Sequence, residues 1–295
     1  MDTQIKNFLK FLIFPLALLL VVVFVADAQI HPDYLLHINF YDVGQGDAVF
    51  IQTYQGNQIV LDGGPSDKIL SLLGKDMPFF DRTIELMIMS HPHEDHIIGL
   101  IDILKRFEVK KILLPEVDFN STAFLEFIRL IDEKQVEKIY AYEGERIWLD
   151  NATVLDIYYP PPGAMKADNN PSKSKGEIEP NDASIVGKLS FGKSRILFTG
   201  DAGADIENKI IPKYNLDADI LKVGHQGSRF STSEEFLQEV TPQFAVIMVG
   251  KNNYGHPTQE VLDKLAAANA QILRTDLDHT IRFTFDGFFA KLVRN

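Results

Sequence analysis

The run Ile84-Glu85-Leu86-Met87-Ile88-Met89-Ser90-His91-Pro92-His93-Glu94-Asp95-His96-Ile97-Ile98-Gly99-Leu100 decides how this chain is read. Its first seven residues are short and apolar enough for a buried strand, and residues 97–104 start a helix. Between them, residues 91–96 carry three imidazoles and two carboxylates. The cluster therefore sits on a strand-to-helix loop at the carboxyl end of a strand, where α/β proteins place their chemistry. Borderline-soft divalent metals take imidazole nitrogen and carboxylate oxygen. The His-x-His-x-Asp-His spacing sends side chains two ways from one tight turn, His91 and His93 toward one metal, Asp95 and His96 toward a second. A chance cluster of exposed polar residues is the bland alternative.

Outward from this loop the chain alternates strands and helices. Residues 37–43 read as a strand, and 48–53 with 58–62 flank Gly56-Asn57 as a hairpin. Helices are expected over 66–73, 122–133, 234–240 and 260–268, and strands over 111–114, 136–142, 219–223 and 244–249. Three further hairpins are expected about Asp150-Asn151, Gly192-Lys193 and Asp286-Gly287. Periodicity alone says mixed α/β. Trp148 is expected in the core. Residues 160–180 hold five prolines among small polar residues and read as a solvated linker, or as a lid over the loop cluster.

Length and composition fit one catalytic domain. The 295 residues are 45% hydrophobic, ample for a sizeable core. Net charge is −12, from 29 Lys and Arg against 41 Asp and Glu, which argues against a broad basic face for duplex DNA. The chain has no cysteine, so disulfides and thiolate ligands are excluded.

Lys6 and Lys10 precede an apolar run over residues 11–26, followed by Ala26-Asp27-Ala28, small residues where a signal peptidase reads. Residues 1–28 are expected to be a cleaved signal peptide or an uncleaved membrane anchor, with residues 35–295 as the catalytic domain. Either reading puts that domain outside the cytoplasm, because the Lys side stays cytoplasmic.

The His91-x-His93-x-Asp95-His96 pattern resembles the signature of the metallo-β-lactamase fold. Ile59-Val60-Leu61-Asp62-Gly63-Gly64 resembles its first motif, Ile196-Leu197-Phe198-Thr199-Gly200-Asp201 the strand that delivers a metal-bridging Asp, and Leu221-Lys222-Val223-Gly224-His225-Gln226-Gly227-Ser228 the last metal-ligand loop. Within the superfamily, Asp42-Val43-Gly44-Gln45-Gly46-Asp47-Ala48, Asn181-Asp182-Ala183-Ser184-Ile185-Val186 and Tyr254-Gly255-His256-Pro257 are similar to the hydrolase domain of ComEC-type competence proteins and to secreted phosphorylcholine esterases. The resemblance implies a four-layer αββα sandwich.

It also implies a binuclear centre of two divalent ions, zinc or manganese. His91, His93 and Asp201 would hold the first, and Asp95, His96, Asp201 and His225 the second. Such a pair lowers the pKa of bound water from about 15.7 towards about 7 and supplies a hydroxide nucleophile. Asp62 would orient a ligand, Asp95 would act at the reacting centre, and His256 would serve as general acid or phosphate ligand. Asp42 and Asp47 are weighed as turn residues against work near the site. Ser228 and Ser231 are weighed as helix caps against substrate contacts, and His31, His37 and His279 are read as structural or surface groups. Two departures stand out. No His lies between His96 and His225, so the first site would be completed by water, Asn181 or Asp182. Gln226 stands where ComEC-type chains carry a second His.

The expected substrate is a phosphodiester, either single-stranded DNA or a cell-surface phosphodiester. Lactams or lactones are the alternative, with an oxygen-using di-iron enzyme and a binding module without catalysis as further alternatives. The basic residues near the site, Lys222, Arg229 and Lys251, are few.

Overall fold

The computed structural model describes residues 10–20, 33–163 and 179–293. The chain divides into two compact units, residues 1–33 and 34–295. In the first, residues 10–20 are helical, and the rest of the expected signal or anchor segment lies outside the described residues. No helix among the described residues is long and apolar enough to cross a membrane. Most of the proline-rich stretch, residues 164–178, also lies outside them.

The second unit is built on two sheets. The first has eight strands: β1 (Leu36–Phe40), β2 (Val49–Gln52), β3 (Gln58–Leu61), β4 (Thr83–Ile88), β5 (Glu108–Leu114), β6 (Glu137–Tyr140), β14 (Ile281–Phe285) and β15 (Ala290–Val293), in the order β15-β14-β1-β2-β3-β4-β5-β6. The second has seven: β7 (Arg146–Trp148), β8 (Thr153–Tyr159), β9 (Val186–Phe191), β10 (Ser194–Phe198), β11 (Ile220–Lys222), β12 (Phe244–Ile247) and β13 (Gln271–Arg274), in the order β13-β12-β11-β10-β9-β8-β7. Strands β3 to β6 run parallel, as do β10 to β13, and the remaining pairs are antiparallel.

Side-chain alternation assigns each face. Leu36, Ile38, Phe40, Val49, Ile51, Leu86 and Ile88 point between the sheets and meet Ile196, Phe198, Ile220 and Val246. The intervening residues face outward. Phe50, Val60, Ile84 and Met87 pack under helices α1 (Lys68–Asp76), α2 (Glu94–Arg106) and α3 (Thr122–Glu133). Leu197, Leu221, Ala245 and Ile247 pack under α4 (Ala204–Ile210), α5 (Glu234–Val240) and α6 (Gln259–Ala267). A short α7 (Thr275–Asp278) follows β13. The layers are therefore helix, sheet, sheet, helix, the αββα architecture expected. Among the described residues, all three hydrophobic clusters lie within residues 36–292.

Two expectations need correcting. Trp148 is 61% exposed, because β7 is the edge strand of its sheet and alternation sends Ile147, not Trp148, toward the core. The pair β13 and α7 had no counterpart in the sequence reading; Gln271-Ile272-Leu273-Arg274 is too short to show a period.

Candidate metal centre

The centre lies where the parallel strands of both sheets end. Asp62 follows β3, His91 follows β4, Asp201 follows β10 and His225 follows β11. Helix α2 starts at Glu94, so His96 sits in its first turn and Asp95 beside it. That turn is clamped onto the loop after β3: Gly63 N–H donates to His96 O at 2.7 Å and Gly99 N–H to Gly64 O at 3.0 Å. The contact is glycine on glycine, since a Cβ on Gly99 would fall 1.9 Å from Gly63 O. This close approach brings His96 to Asp62.

Asp62 then organises two imidazoles. Its Oδ2 accepts from His96 Nδ1 at 2.8 Å and from the Ser90 hydroxyl at 2.5 Å, while its Oδ1 accepts from Ser90 N–H at 2.8 Å. With its proton given to Asp62, Ser90 Oγ is left to accept from His91 Nδ1–H at 3.0 Å. Both rings therefore present Nδ1–H to these oxygens and point Nε2 away from the carboxylate, the arrangement metal-bound histidines use. Both Nε2 atoms face Asp201 Oδ2, His96 at 3.5 Å and His91 at 3.9 Å.

These donors fit a divalent cation. His91, His96 and Asp201 offer ligand atoms all within 4.8 Å of one another, and all three are buried. His93 Nδ1 lies 3.1 Å from His91 Nε2. Two ligand atoms on one tetrahedral zinc, with bonds near 2.0–2.1 Å, would be separated by about 3.3 Å. His96 Nε2 and Asp201 Oδ1 are buried without a hydrogen-bond partner, a costly state unless something else satisfies them. Asp95 Oδ2 lies 3.8 Å from His96 Nε2. His225 shares the open cleft with His93, Asp95 and Asp201. All six proposed ligands thus converge on one place, although only His91, His96 and Asp201 form the tight group.

A buried ammonium lies beneath the ligands. Lys222 is 1% exposed and pairs with Asp47, also donating to Gly200 O at 2.7 Å. It approaches Asp201 Oδ1 at 3.5 Å. Burial opposes its charge, but Asp47 and Asp201 outweigh that and raise its pKa. Lys222 is thus committed inside the protein and is not a basic residue offered to substrate. Burial likewise opposes ionising Asp201, yet His96, Lys222 and His91 hold its pKa well below the usual carboxylate range. His96 is disfavoured as a cation by burial, but Asp201 and Asp62 push its pKa well above the ordinary value. His91 goes the other way, lowered by burial and by His96.

The cleft above the ligands has a volume of about 740 Å³. Pro65, Ile98 and Tyr254 supply apolar wall, Glu94 adds an acid, and no Lys or Arg among the described residues lines it. His256 stands at its edge with its ring 5.6 Å from that of His225. Its Nδ1 is buried without a partner, and burial and His225 lower its pKa. Asn252 holds the His256 loop, accepting from His256 N–H at 3.1 Å and donating to His256 O at 2.8 Å.

Gln226 is 3% exposed and donates through Nε2 to Asp95 Oδ2 at 2.7 Å. Gln45 contacts the Gln226 amide oxygen and itself accepts from Gly250 N–H at 3.0 Å. Asn181 Oδ1 is buried without a partner, on a 3-10 turn tied to the centre through Ser184, whose hydroxyl accepts from Asp201 N–H at 3.0 Å. Asp182 is exposed. Asp42 serves its own turn, accepting from Gly44 N–H, and pairs with Lys68 at 3.2 Å. Ser228 and Ser231 brace the loop after His225, while Ser233 is the residue that caps α5. His279 is exposed and His37 lies on β1; His31 lies outside the described residues. Sequence reasoning missed Ser90, Gln45 and the Lys222–Asp47 pair. Only Ser90, adjacent to His91, left a signal.

Comparison with known proteins supplies the family and the fold. ComE operon protein 3 of Bacillus subtilis is 28% identical over 269 residues, covering 84% of this chain and 33% of that protein. Recombination protein 2 of Haemophilus influenzae is 28% identical over 253 residues, covering 84% of this chain and 29% of that protein. Competence protein ComA of Neisseria gonorrhoeae is 38% identical over 116 residues, covering 38% of this chain and 17% of that protein. The chain thus spans a third or less of the length of these relatives. Among solved structures, the metallo hydrolase Igni18 of Ignicoccus hospitalis shares the fold at a TM-score of 0.54 and 16% identity, covering 85% of this chain and 99% of that one. The diiron β-hydroxylase CmlA of Streptomyces venezuelae does so at 0.54 and 14%, covering 86% of this chain and 54% of that one. The family model for the metallo-β-lactamase superfamily matches residues 41–251, which take in every ligand named above, and this chain belongs to that superfamily.

Proposed function

We propose that this chain is a phosphodiester hydrolase that works outside the cytoplasm on small or single-stranded substrates. Superfamily membership supports a metal-dependent hydrolase. The observation that carries the finer reading is the convergence on Asp201 Oδ2, approached by His91 and His96. His93 stands beside the first of these and Asp95 beside the second. His91, His93, Asp95, His96, Asp201 and His225 would hold two divalent ions, zinc or manganese. Bound there, such ions supply Lewis acidity and an activated water at neutral pH, and a pair suits in-line displacement at phosphorus.

The chain's own groups do the rest. Asp62 and Ser90 hold the Nδ1 side of His91 and His96, which leaves Nε2 of each to a bound ion. Gln226 holds one oxygen of Asp95. His256, neutral near pH 7, offers a ring nitrogen to a substrate oxygen at the cleft edge. With Glu94 and Asp95 in the wall and no Lys or Arg among its described lining residues, the cleft favours a substrate with little charge beyond the scissile phosphate. That supports a small or single-stranded phosphodiester over duplex DNA, whose binding relies on many basic contacts. The apolar residues 11–26 behind Lys6 and Lys10 support export or anchoring.

The test is a substrate panel on the metal-loaded protein: bis(p-nitrophenyl) phosphate, short single-stranded and duplex oligonucleotides, a lactam and a lactone. Hydrolysis of the phosphodiesters, lost with chelator and in Asp201→Asn, is expected. Lactam or lactone turnover with inert phosphodiesters would overturn the reading.

A further inference from the structure

The end of the sandwich opposite the cleft is unusually aromatic. Strands β3, β4, β10, β11 and β12 run toward the cleft, so their first residues mark the far end. The loop between α1 and β4 lies there, as do the β14–β15 turn, the end of β7 and the start of β1. These places present Tyr34 (62% exposed), Phe79 (72%), Phe80 (81%), Trp148 (61%), Phe288 (63%) and Phe289 (74%). In the unit from residue 34 onward, the other aromatic rings left so open among the described residues are Tyr140, Phe230 and Tyr254. Tyr34 and the Phe288–Phe289 turn border one another through shared neighbours. Tyr34 meets Tyr54 at 5.5 Å, Tyr54 meets Phe191 at 5.8 Å, and the β14–β15 turn closes onto the next loop through Lys193 N–H donating to Gly287 O at 2.6 Å. None of the six rings belongs to a hydrophobic cluster of the core.

The sequence says what covers them. The chain enters the sandwich at this end, at Tyr34, and only residues 27–33 separate it from the apolar run 11–26. Seven residues span at most about 25 Å when fully extended. This rests on the anchor reading, in which residues 11–26 are retained in lipid and the end bearing Tyr34 is joined to them by that short tether. Tyr and Trp favour the membrane–water boundary, and Phe beside them buries its ring in the acyl region. We propose that this aromatic end is a membrane-interface surface that seats on lipid and points the metal cleft away from the bilayer. The net charge of −12 opposes binding to anionic lipid, so the contact is apolar and insensitive to salt.

The inference does not depend on which bond the site cleaves, and its test does not need the apolar segment. Residues 34–295 form a compact unit with its own core and hold the only tryptophan of the chain, Trp148, at the surface in question. This unit is floated with phosphatidylcholine vesicles whose acyl chains are brominated. Co-flotation at low and high salt with quenching of Trp148 is expected. The pair Phe288→Ser and Phe289→Ser should lower the bound fraction about ten-fold with an unchanged thermal melt, because two large rings leave the interface. Absence from the vesicle fraction, or flotation with Trp148 unquenched, would overturn the proposal. So would a dimer in free solution that the same two substitutions abolish, which would assign the face to a second copy of the chain.

Discussion

Asp62 Oδ2 stands 2.8 Å from His96 Nδ1, and through Ser90 the same carboxylate reaches His91. One buried acid thus sets the proton position of two imidazoles that face Asp201. Asp62 has φ +57, a left-handed backbone that Asn tolerates better than Ala. Asp62→Asn should keep the fold and lower metal affinity about 10–100-fold. Chelator competition measures it, and an unchanged affinity would remove Asp62 from the account.

The second test separates metal binding from turnover. Asp201→Ala should abolish hydrolysis and lose metal. His256→Ala should keep metal and lower turnover about 10²–10⁴-fold, the usual range for a positioned acid or base. Loss of metal in His256→Ala would move His256 among the ligands.

Gln226 and Asp95 make a third. Gln226→Leu leaves Asp95 Oδ2 without its donor at 2.7 Å. Metal affinity at the second site, which Asp95 would help to hold, should fall about ten-fold, as for other groups that orient a ligand. Zinc retention against a graded series of chelators reads the change.

The Lys222–Asp47 pair predicts a stability effect. Lys222→Met strands a buried carboxylate and should cost about 3–5 kcal/mol, while adding Asp47→Asn should recover much of it. Urea unfolding of the single and double variants gives the comparison. Equal loss in both would show that the pair does not act as a unit.

For His256 the sign follows from its lowered pKa. The fold favours the neutral ring, so this contribution to stability is complete above the unfolded value of about 6.5 and is lost as pH falls through the folded one. The gap in unfolding free energy between wild type and His256→Gln should be flat above that pH and change in the destabilising direction for wild type on acidification. A change of the opposite sign would contradict the assignment.

Much of this was legible in the sequence because it is local. The His-x-His-x-Asp-His turn, Asp62 at a strand end and Asp201 after another strand each declare themselves within a few residues. The αββα layering came from the family resemblance, since buried parallel strands show continuous apolar runs and no facing partner. What stayed hidden is long-range. Nothing near Lys222 announces Asp47, and nothing near Gln226 announces Asp95, 131 residues away. Trp148 was misplaced because edge position in a sheet is a property of topology, not of the residues around it.

Metal content of the purified protein tests the central claim most directly. After loading with zinc or manganese and removal of excess, elemental analysis should find between one and two equivalents, one of them released more readily by chelator, because no His lies between His96 and Asp201 to complete the first site. Wild-type protein that takes up no metal under any loading condition would contradict the account and leave a binding module in place of an enzyme.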